Sequence, residues 1–423
     1  MAHETVFTYA APRLLFGAGA GDEVGFELRQ LGAHRVLLLT DAGVAAAGAP
    51  LQVAHSMTAA GIDVQVFDGV HIEPTDDSVR AAVDVARAGG PWDAFVAVGG
   101  GSSIDTAKAV NLLTSCGGDL MDYVNAPIGA GRSPQDPLRP LVAVPTTTGT
   151  GAESTTVCVL DLVSLHVKAG ISHPALRPTL AVVDPELTHS QPAQVTAASG
   201  MDILCHALES YTARPFDSYQ RKTPQDRAPY CGANPVSDMW AERAMSLLSS
   251  GFRRSVRDGS DVAARHDMAL AATFAGMGFG NAGVHIPHAC AYPLAGRVRA
   301  FRPSQYPGQG PLLPHGMAVA LTAPQAFRFT FASNPQRHLR AASLLDPDAQ
   351  PGSDASAHLP QVLVRLMRDV GIPNGIGAVG FDESDVPDLV EGALSQQRLL
   401  AISPRTPAAE DLAAIFTGSV QNW

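Results

Sequence analysis

Hydrophobic positions in the first 190 or so residues fall in short, nearly continuous runs. These are RVLLLT at 35–40, DVQVF at 63–67, AFVAV at 94–98, LVAVP at 141–145 and LAVV at 180–183. Between them the apolar positions recur at helical spacing, as in DDSVRAAVDVARA at 76–88 and SIDTAKAVNLLT at 103–114. Strands that are apolar on both faces and alternate with helices predict a mostly parallel sheet covered on both sides. After Asp184-Pro185-Glu186-Leu187-Thr188 the β character stops. From there the spacing is helical, over 194–212, 235–257, 260–279, 316–331, 357–370 and 409–420. The expected organisation is an α/β domain over 1–190 and an all-α domain over 191–423. Two Pro/Gly/polar interruptions, 214–235 and 297–315, have the length of loops that are functional or mobile in compact domains.

Composition narrows the class. The chain has 423 residues, 46 % hydrophobic and 16 % charged, which suits a compact enzyme rather than a disordered chain. A formal net charge of −11 without acidic or basic runs argues against nucleic acid or an anionic membrane as partner. No apolar run approaches the ~20 residues of a membrane span. The N-terminal MAHETVFTYAAPRLLFG lacks a basic flank followed by an apolar core, so no signal peptide is expected. The five cysteines, at 116, 158, 205, 231 and 290, form no CxxC pair. Reduced thiols and a cytoplasmic location are the expectation.

Three turns bear on a nucleotide. Val98-Gly99-Gly100-Gly101-Ser102-Ser103-Ile104-Asp105 follows a strand and opens a helix, where backbone N–H groups and the helix N-terminus can hold a pyrophosphate. A tight turn capped by Ser102 or Ser103 is the other reading. Pro145-Thr146-Thr147-Thr148-Gly149-Thr150-Gly151 offers four hydroxyls for a phosphate and ribose, or forms a capped loop. Asp41, after the 35–40 strand, can hydrogen-bond an adenosine ribose and repel a 2′-phosphate, favouring NAD over NADP; a plain turn aspartate is the alternative. Gly17-Ala18-Gly19-Ala20-Gly21-Asp22 imitates the dinucleotide fingerprint, but Asp22 stands where Gly is required, so a capped helix start is expected there.

The helical half carries the candidate metal ligands. Asp202 and His206 are four apart in Gly200-Met201-Asp202-Ile203-Leu204-Cys205-His206-Ala207-Leu208-Glu209 and so share one helix face. Alone, such a pair also suits a capped, solvated helix start. His288 lies in an apolar, small-residue setting, and His315 sits where a loop enters a helix. With these two added, one Asp and three His form a set suited to Fe(II) or Zn(II). His285, His173, His71 and His338 remain spare.

These segments together resemble the iron-containing (group III) alcohol dehydrogenase family. The resemblance rests on GGGSSIDTAKA (99–109), PTTTGTGAE (145–153), DPELT (184–188), GMDILCHALE (200–209) and the His288/His315 region. Within the family the chain is most similar to the hydroxyacid–oxoacid transhydrogenase branch, through ESYTARPF (209–216), YCGANPVSDMWA (230–241), GFGNAGVHIPHACAYPLAG (278–296) and HGMAVALTAPQAFRFT (315–330). The resemblance implies a Rossmann-like sheet followed by a helical domain, the dehydroquinate synthase-like two-domain plan. It implies metal ligands Asp202, His206, His288 and His315, which act in catalysis through the metal. It implies a cofactor site at Asp41, Gly99, Gly100, Gly101, Ser102, Asp105, Thr146, Thr147 and Lys168, holding NAD(H).

The branch oxidises 4-hydroxybutyrate to succinic semialdehyde while reducing 2-oxoglutarate to 2-hydroxyglutarate. An NAD-dependent alcohol dehydrogenase acting on a small primary alcohol or aldehyde is the alternative within the family. A metal lyase or a nucleotide-binding regulatory protein are alternatives outside it. Carboxylate substrates need a cation, for which Arg214, Arg297 and Arg299 in the two long loops are candidates; solvent-facing arginines are the other reading. Many members carry His four residues after the third ligand, whereas this chain has Tyr292, so that histidine's role in proton transfer does not carry over. The linker from His288 to His315 is also longer than in simple alcohol dehydrogenases of the family. A homo-oligomer is expected, with small-molecule hydroxyacids and oxoacids as partners.

Overall fold

Six short parallel strands make the centre of the first unit. They are β1 Arg13–Phe16, β2 Arg35–Leu39, β3 Asp63–Phe67, β4 Ala94–Gly99, β5 Leu141–Pro145 and, after a hairpin, β8 Leu180–Val183, in the order β1-β8-β5-β4-β2-β3. The hairpin is β6 Val157–Leu162 with β7 Val167–Ser172, an antiparallel pair that the apolar runs did not reveal. The structure is a computed structural model that describes residues 2–165, 167–306 and 308–423. Contacts divide the chain into two compact units, Ala11–Gln191 and Pro192–Trp423, the latter joined by the segment ending at Ala10.

The predicted strands all exist; β2, β4, β5 and β8 have two apolar faces to fill, while the edge strand β3 is only partly buried. Leu37, Leu39, Phe95 and Ala97 pack into one core; Val36, Leu38, Val96 and Val98 pack into the other. Helices α1 Val24–Gln30, α2 Ala42–Ala47, α3 Ala49–Ala59, α4 Asp76–Gly89, α5 Gly101–Cys116 and α6 Leu120–Tyr123 complete the unit. From β2 the chain first goes outward to β3, then returns on the other side of β2 to make β4. The topological switch point therefore lies between β2 and β4, where open α/β sheets bind ligands beyond the strand C-termini. The start at Ala20–Glu23 is a 3₁₀ turn leading into α1, as the mimic of the fingerprint suggested. No side chain caps it, because the capping position is Gly19, which has none.

The second unit is helical: α7 Ala193–Thr212, α8 Pro235–Arg257, α9 Val262–Ala282, α10 Ile286–Arg297, α11 His315–Thr330, α12 Pro335–Leu345, α13 His358–Asp369, α14 Val386–Leu394, α15 Gln397–Leu400 and α16 Ala409–Gly418. Helix α7 is buried on nearly all sides, with Met201, Ile203, Leu204, Cys205, Ala207 and Leu208 inaccessible. A helix apolar all round belongs at the centre of a bundle, and this one is packed by α8, α9 and α11. Among the described residues no helix is long and apolar enough to cross a membrane.

Candidate metal centre and nucleotide turns

Helix α7 places Asp202, His206 and Glu209 on one face, at spacings of four and three. Its neighbours bring the other groups. His288 stands in the first turn of α10, and His315 is the first residue of α11. Close approach of α11 to α7 depends on Gly316: a Cβ there would lie 2.1 Å from the Ala198 carbonyl oxygen and 2.8 Å from Asp202 Cβ. The residue beside His315 is thus glycine because the helices touch at that point.

Three imidazoles converge on one oxygen of Asp202. Asp202 Oδ1 lies 3.7 Å from His206 Nε2, 3.6 Å from His288 Nε2 and 3.8 Å from His315 Nε2. An ion held tetrahedrally at ~2.1 Å separates its ligands by about 3.4 Å, so the spacing suits a divalent cation. Asp202 Oδ1 and His288 Nε2 are buried and have no hydrogen-bond partner, a costly arrangement unless a cation satisfies them. Asp202, His206 and His288 form the tight triplet, with ligand atoms within 4.8 Å of one another. His315 reaches the same carboxylate but keeps a quarter of its side chain exposed.

Glu209 is the residue the sequence reading did not single out. Its fully buried carboxylate accepts from His288 Nδ1 at 2.6 Å and from the His285 amide at 2.6 Å. With Nδ1–H donating to Glu209, the Nε2 lone pair of neutral His288 points at the cluster, the outer-shell arrangement common to metal-binding histidines. The pattern Asp-x₃-His-x₂-Glu was the available signal. His206 is oriented differently, stacked on Phe279 with centroids 3.8 Å apart. Of the spare histidines, His285 donates to or accepts from Thr212 Oγ1, His338 bonds Thr330 and Asn334, His173 caps a 3₁₀ turn, and His71 bonds the Glu73 carbonyl. None of these joins the cluster.

Burial and mutual charge set the protonation of the cluster. Burial pushes His206 down to about 3, so it is neutral at physiological pH. Burial also disfavours charge on His288, but the Glu209 and Asp202 carboxylates outweigh it and raise this group to about 9. Asp202, despite burial, is held far below the usual carboxylate range by the histidines around it. At neutral pH the metal-free site therefore stores a proton on His288 that a cation must displace. Apparent metal affinity is expected to rise roughly tenfold per pH unit up to about pH 9 and then level off. Competition titration of the apo-protein against a chelator at several pH values checks this; a flat profile below pH 8 would remove the coupling.

In the first unit the turns after β2, β4 and β5 lie side by side. Thr146 N–H donates to the Gly99 carbonyl, and Asp41 Oδ2 lies 3.5 Å from Ser103 Oγ. A Cβ on Gly100 would come 2.9 Å from Thr147 Oγ1, so glycine is needed for the two loops to pack. Gly100 is also the N-cap of α5 and supplies no side-chain bond to its first amides, which remain suited to an anion. Asp41 uses Oδ1 to cap α2 through the Gly43 and Val44 amides. Asp41, Gly99, Gly100, Gly101, Thr146 and Thr147 are therefore grouped at the switch point. The other three expected cofactor residues have partners within the unit. Ser102 Oγ accepts from the Glu73 amide, Asp105 accepts from the Val159 amide, and buried Lys168 pairs with Glu73 at 2.7 Å and Asp161 at 3.0 Å.

The candidate substrate arginines also have other partners. Arg297 pairs with Asp388 and Arg299 with Asp385. Arg214 bonds Ser218 and lies over the Tyr219 ring. Tyr292, in place of the family's histidine, has its ring 6.1 Å from that of His315.

An α/β unit with loops suited to a dinucleotide, followed by a helical unit with an Asp/His cluster suited to a divalent ion, defines the class of metal-dependent dehydrogenases. Residues 11–185 match the iron-containing alcohol dehydrogenase family, and residues 230–420 match the Fe-containing alcohol dehydrogenase family, C-terminal. The chain is 43 % identical over 420 residues to the mitochondrial hydroxyacid-oxoacid transhydrogenase of Bos taurus, covering 98 % of this chain and 90 % of the relative. Among solved structures it is similar to a 1,3-propanediol oxidoreductase, with TM-score 0.84 and 33 % identity over 98 % of this chain and 100 % of the other. It is also similar to sulfoacetaldehyde reductase from Bifidobacterium kashiwanohense in complex with NAD+, with TM-score 0.80 and 25 % identity over 97 % and 98 % of the chains.

The chain belongs to the iron-containing alcohol dehydrogenase family. It is an oxidoreductase acting on CH–OH groups of small molecules, and its family uses a divalent metal and NAD(H). The expectation of a cytoplasmic location is overturned: the transhydrogenases matched over nearly the whole chain are mitochondrial proteins.

Proposed function

We propose that the protein is a hydroxyacid–oxoacid transhydrogenase. It removes hydride from the carbinol carbon of a hydroxyacid such as 4-hydroxybutyrate and delivers it to the keto carbon of an oxoacid such as 2-oxoglutarate, through NAD(H) that stays bound. The observation that carries this reading is the convergence of three imidazoles on Asp202 Oδ1, in a chain 43 % identical to a transhydrogenase over 98 % of its length.

Asp202, His206, His288 and His315 would hold the ion, Fe(II) in preference, with Zn(II) compatible with the same donors. When bound, the ion supplies Lewis acidity toward the substrate oxygen, and the nicotinamide supplies the hydride chemistry. The chain's own residues do the rest. Glu209 fixes the His288 tautomer and holds the α10 N-terminus through the His285 amide. Phe279 keeps the His206 ring in one orientation and covers one of its faces against water. For the cofactor, Gly99, Gly100 and Gly101 let the pyrophosphate approach the uncapped α5 amides, with Thr146 and Thr147 alongside. Asp41 Oδ2, which takes only a long bond from Ser103 Oγ at 3.5 Å, would also accept from a ribose hydroxyl, which favours NAD.

Bound cofactor distinguishes this reading from an alcohol dehydrogenase that exchanges NAD at each turnover. Denaturing the protein purified without added nicotinamide is expected to release close to one equivalent of NAD(H) per chain. Release of only traces from a metal-replete, active preparation would favour the exchanging enzyme.

A further inference from the structure

Beyond the C-terminus of α7, the 214–235 loop, the segment ending at Ala10 and the α15 region enclose a cavity of about 190 Å³. None of the four candidate metal ligands lines it. Its walls are aromatic: Phe7 and Phe216 meet edge to face at 4.9 Å, and Tyr219 and Tyr230 line it as well. Arg227, Lys222 and Arg398 bring positive charge to the same walls.

The charges are unequal. Glu4, the one carboxylate lining the cavity, is already used by the Thr5, Val6 and Lys222 amides and by Arg227 at 3.3 Å. Lys222 and Arg398 have no carboxylate partner among the described residues. Their cationic groups rest instead 5.8 Å from the Tyr219 ring centroid and 5.1 Å from that of Tyr230. Three cations against one carboxylate leave two positive charges at this cavity, in a chain whose net charge is −11. Tyr219 and Cys231 add no negative charge there, since burial pushes the hydroxyl up to about 12 and the thiol up to about 11, further above neutral pH. An apolar body between aromatic rings, with an anionic end at Lys222 or Arg398, is the ligand such walls recognise.

We infer that this cavity is a second binding site, distinct from the metal centre, for a small carboxylic acid with an aryl or compact alkyl body. The inference stands on residues of the helical unit alone and does not depend on the proposed transhydrogenase activity. Phenylacetate is a suitable probe and 2-phenylethanol its uncharged control. Isothermal titration of the metal-loaded, full-length protein should show phenylacetate binding at least tenfold tighter than the alcohol. The double variant Lys222→Ala/Arg398→Ala should weaken phenylacetate at least tenfold with metal content and melting temperature unchanged. Ala401→Trp, which fills the cavity from its wall, should abolish binding. No phenylacetate binding, or binding unchanged in both variants, overturns the site.

Discussion

Replacing His288 with Ala is expected to abolish metal retention and to lower turnover by at least ~10³-fold, since Lewis-acid activation depends on the ion. It should also destabilise the protein. Glu209 is completely buried, and without the imidazole its charge keeps only backbone donors, at 2.6 Å from His285 and 3.5 Å from residue 288. Orphaning one member of a buried charged pair costs about 3–5 kcal/mol. The two effects separate in a double variant. Adding Glu209→Gln to His288→Ala should recover part of the lost stability, because the buried charge is gone, and none of the metal. Elemental analysis reads the first effect and denaturant unfolding the second. Retained metal in His288→Ala would remove this residue from the site.

A loss of similar size is expected at Lys108, on the helix opened by the glycine-rich turn. Its ammonium is inaccessible and donates to the Ala152 carbonyl at 2.8 Å, Thr155 Oγ1 at 2.9 Å and the Val157 carbonyl at 2.7 Å. Asp105 lies 3.5 Å away. Burial pushes the lysine down and the aspartate up. Three acceptors nevertheless need three N–H donors, which only the charged amine has. The residue ties α5 to the loop before β6 and to β6 itself. Lys108→Met keeps the volume but removes the strongest donor to three buried oxygens, leaving the two carbonyls only the longer bonds from Thr155 at 3.3–3.4 Å, and leaves Asp105 without its counter-charge. We expect a loss of about 3–5 kcal/mol in unfolding free energy, with Asp105→Asn/Lys108→Met recovering part of it. A loss below about 1 kcal/mol would show that water replaces the amine.

These two residues also mark what a sequence can and cannot convey. Asp202 and His206 were readable as one helix face because i and i+4 fall together on a helix, and Glu209 lay on the same face at i+7. His288 and His315 were not connected to that face by any periodicity. Their convergence depends on α11 packing on α7, with Gly316 permitting the contact, and on α10 packing on α11; residue chemistry made them candidates, and family resemblance assigned them. Five of the six parallel strands were evident as short apolar runs, β2, β4, β5 and β8 being mostly buried; β1 Arg13–Phe16, a four-residue, partly exposed edge strand, was not. The β6–β7 hairpin was not, since Val163-Ser164-Leu165 between its strands carries none of the Gly, Asn or Pro signals of a turn. Spacing also says nothing about where a polar side chain finds its partner. Ser102, Asp105 and Lys168 sit in or near motifs associated with the cofactor, yet their side chains bond to Glu73, Val159 and Asp161 within the α/β unit. Arg297 and Arg299, from the second long loop, are likewise taken up by Asp388 and Asp385.

Hydride transfer between two substrates through one retained cofactor is the central claim, and isotope tracing tests it most directly. The metal-loaded protein is given 4-hydroxybutyrate deuterated at its carbinol carbon together with 2-oxoglutarate, and no nicotinamide is added. The expected result is deuterium at the carbinol carbon of 2-hydroxyglutarate, in amounts many times the enzyme concentration. Turnover that appears only with stoichiometric added NAD, leaving 2-oxoglutarate unlabelled and unreduced, would contradict it.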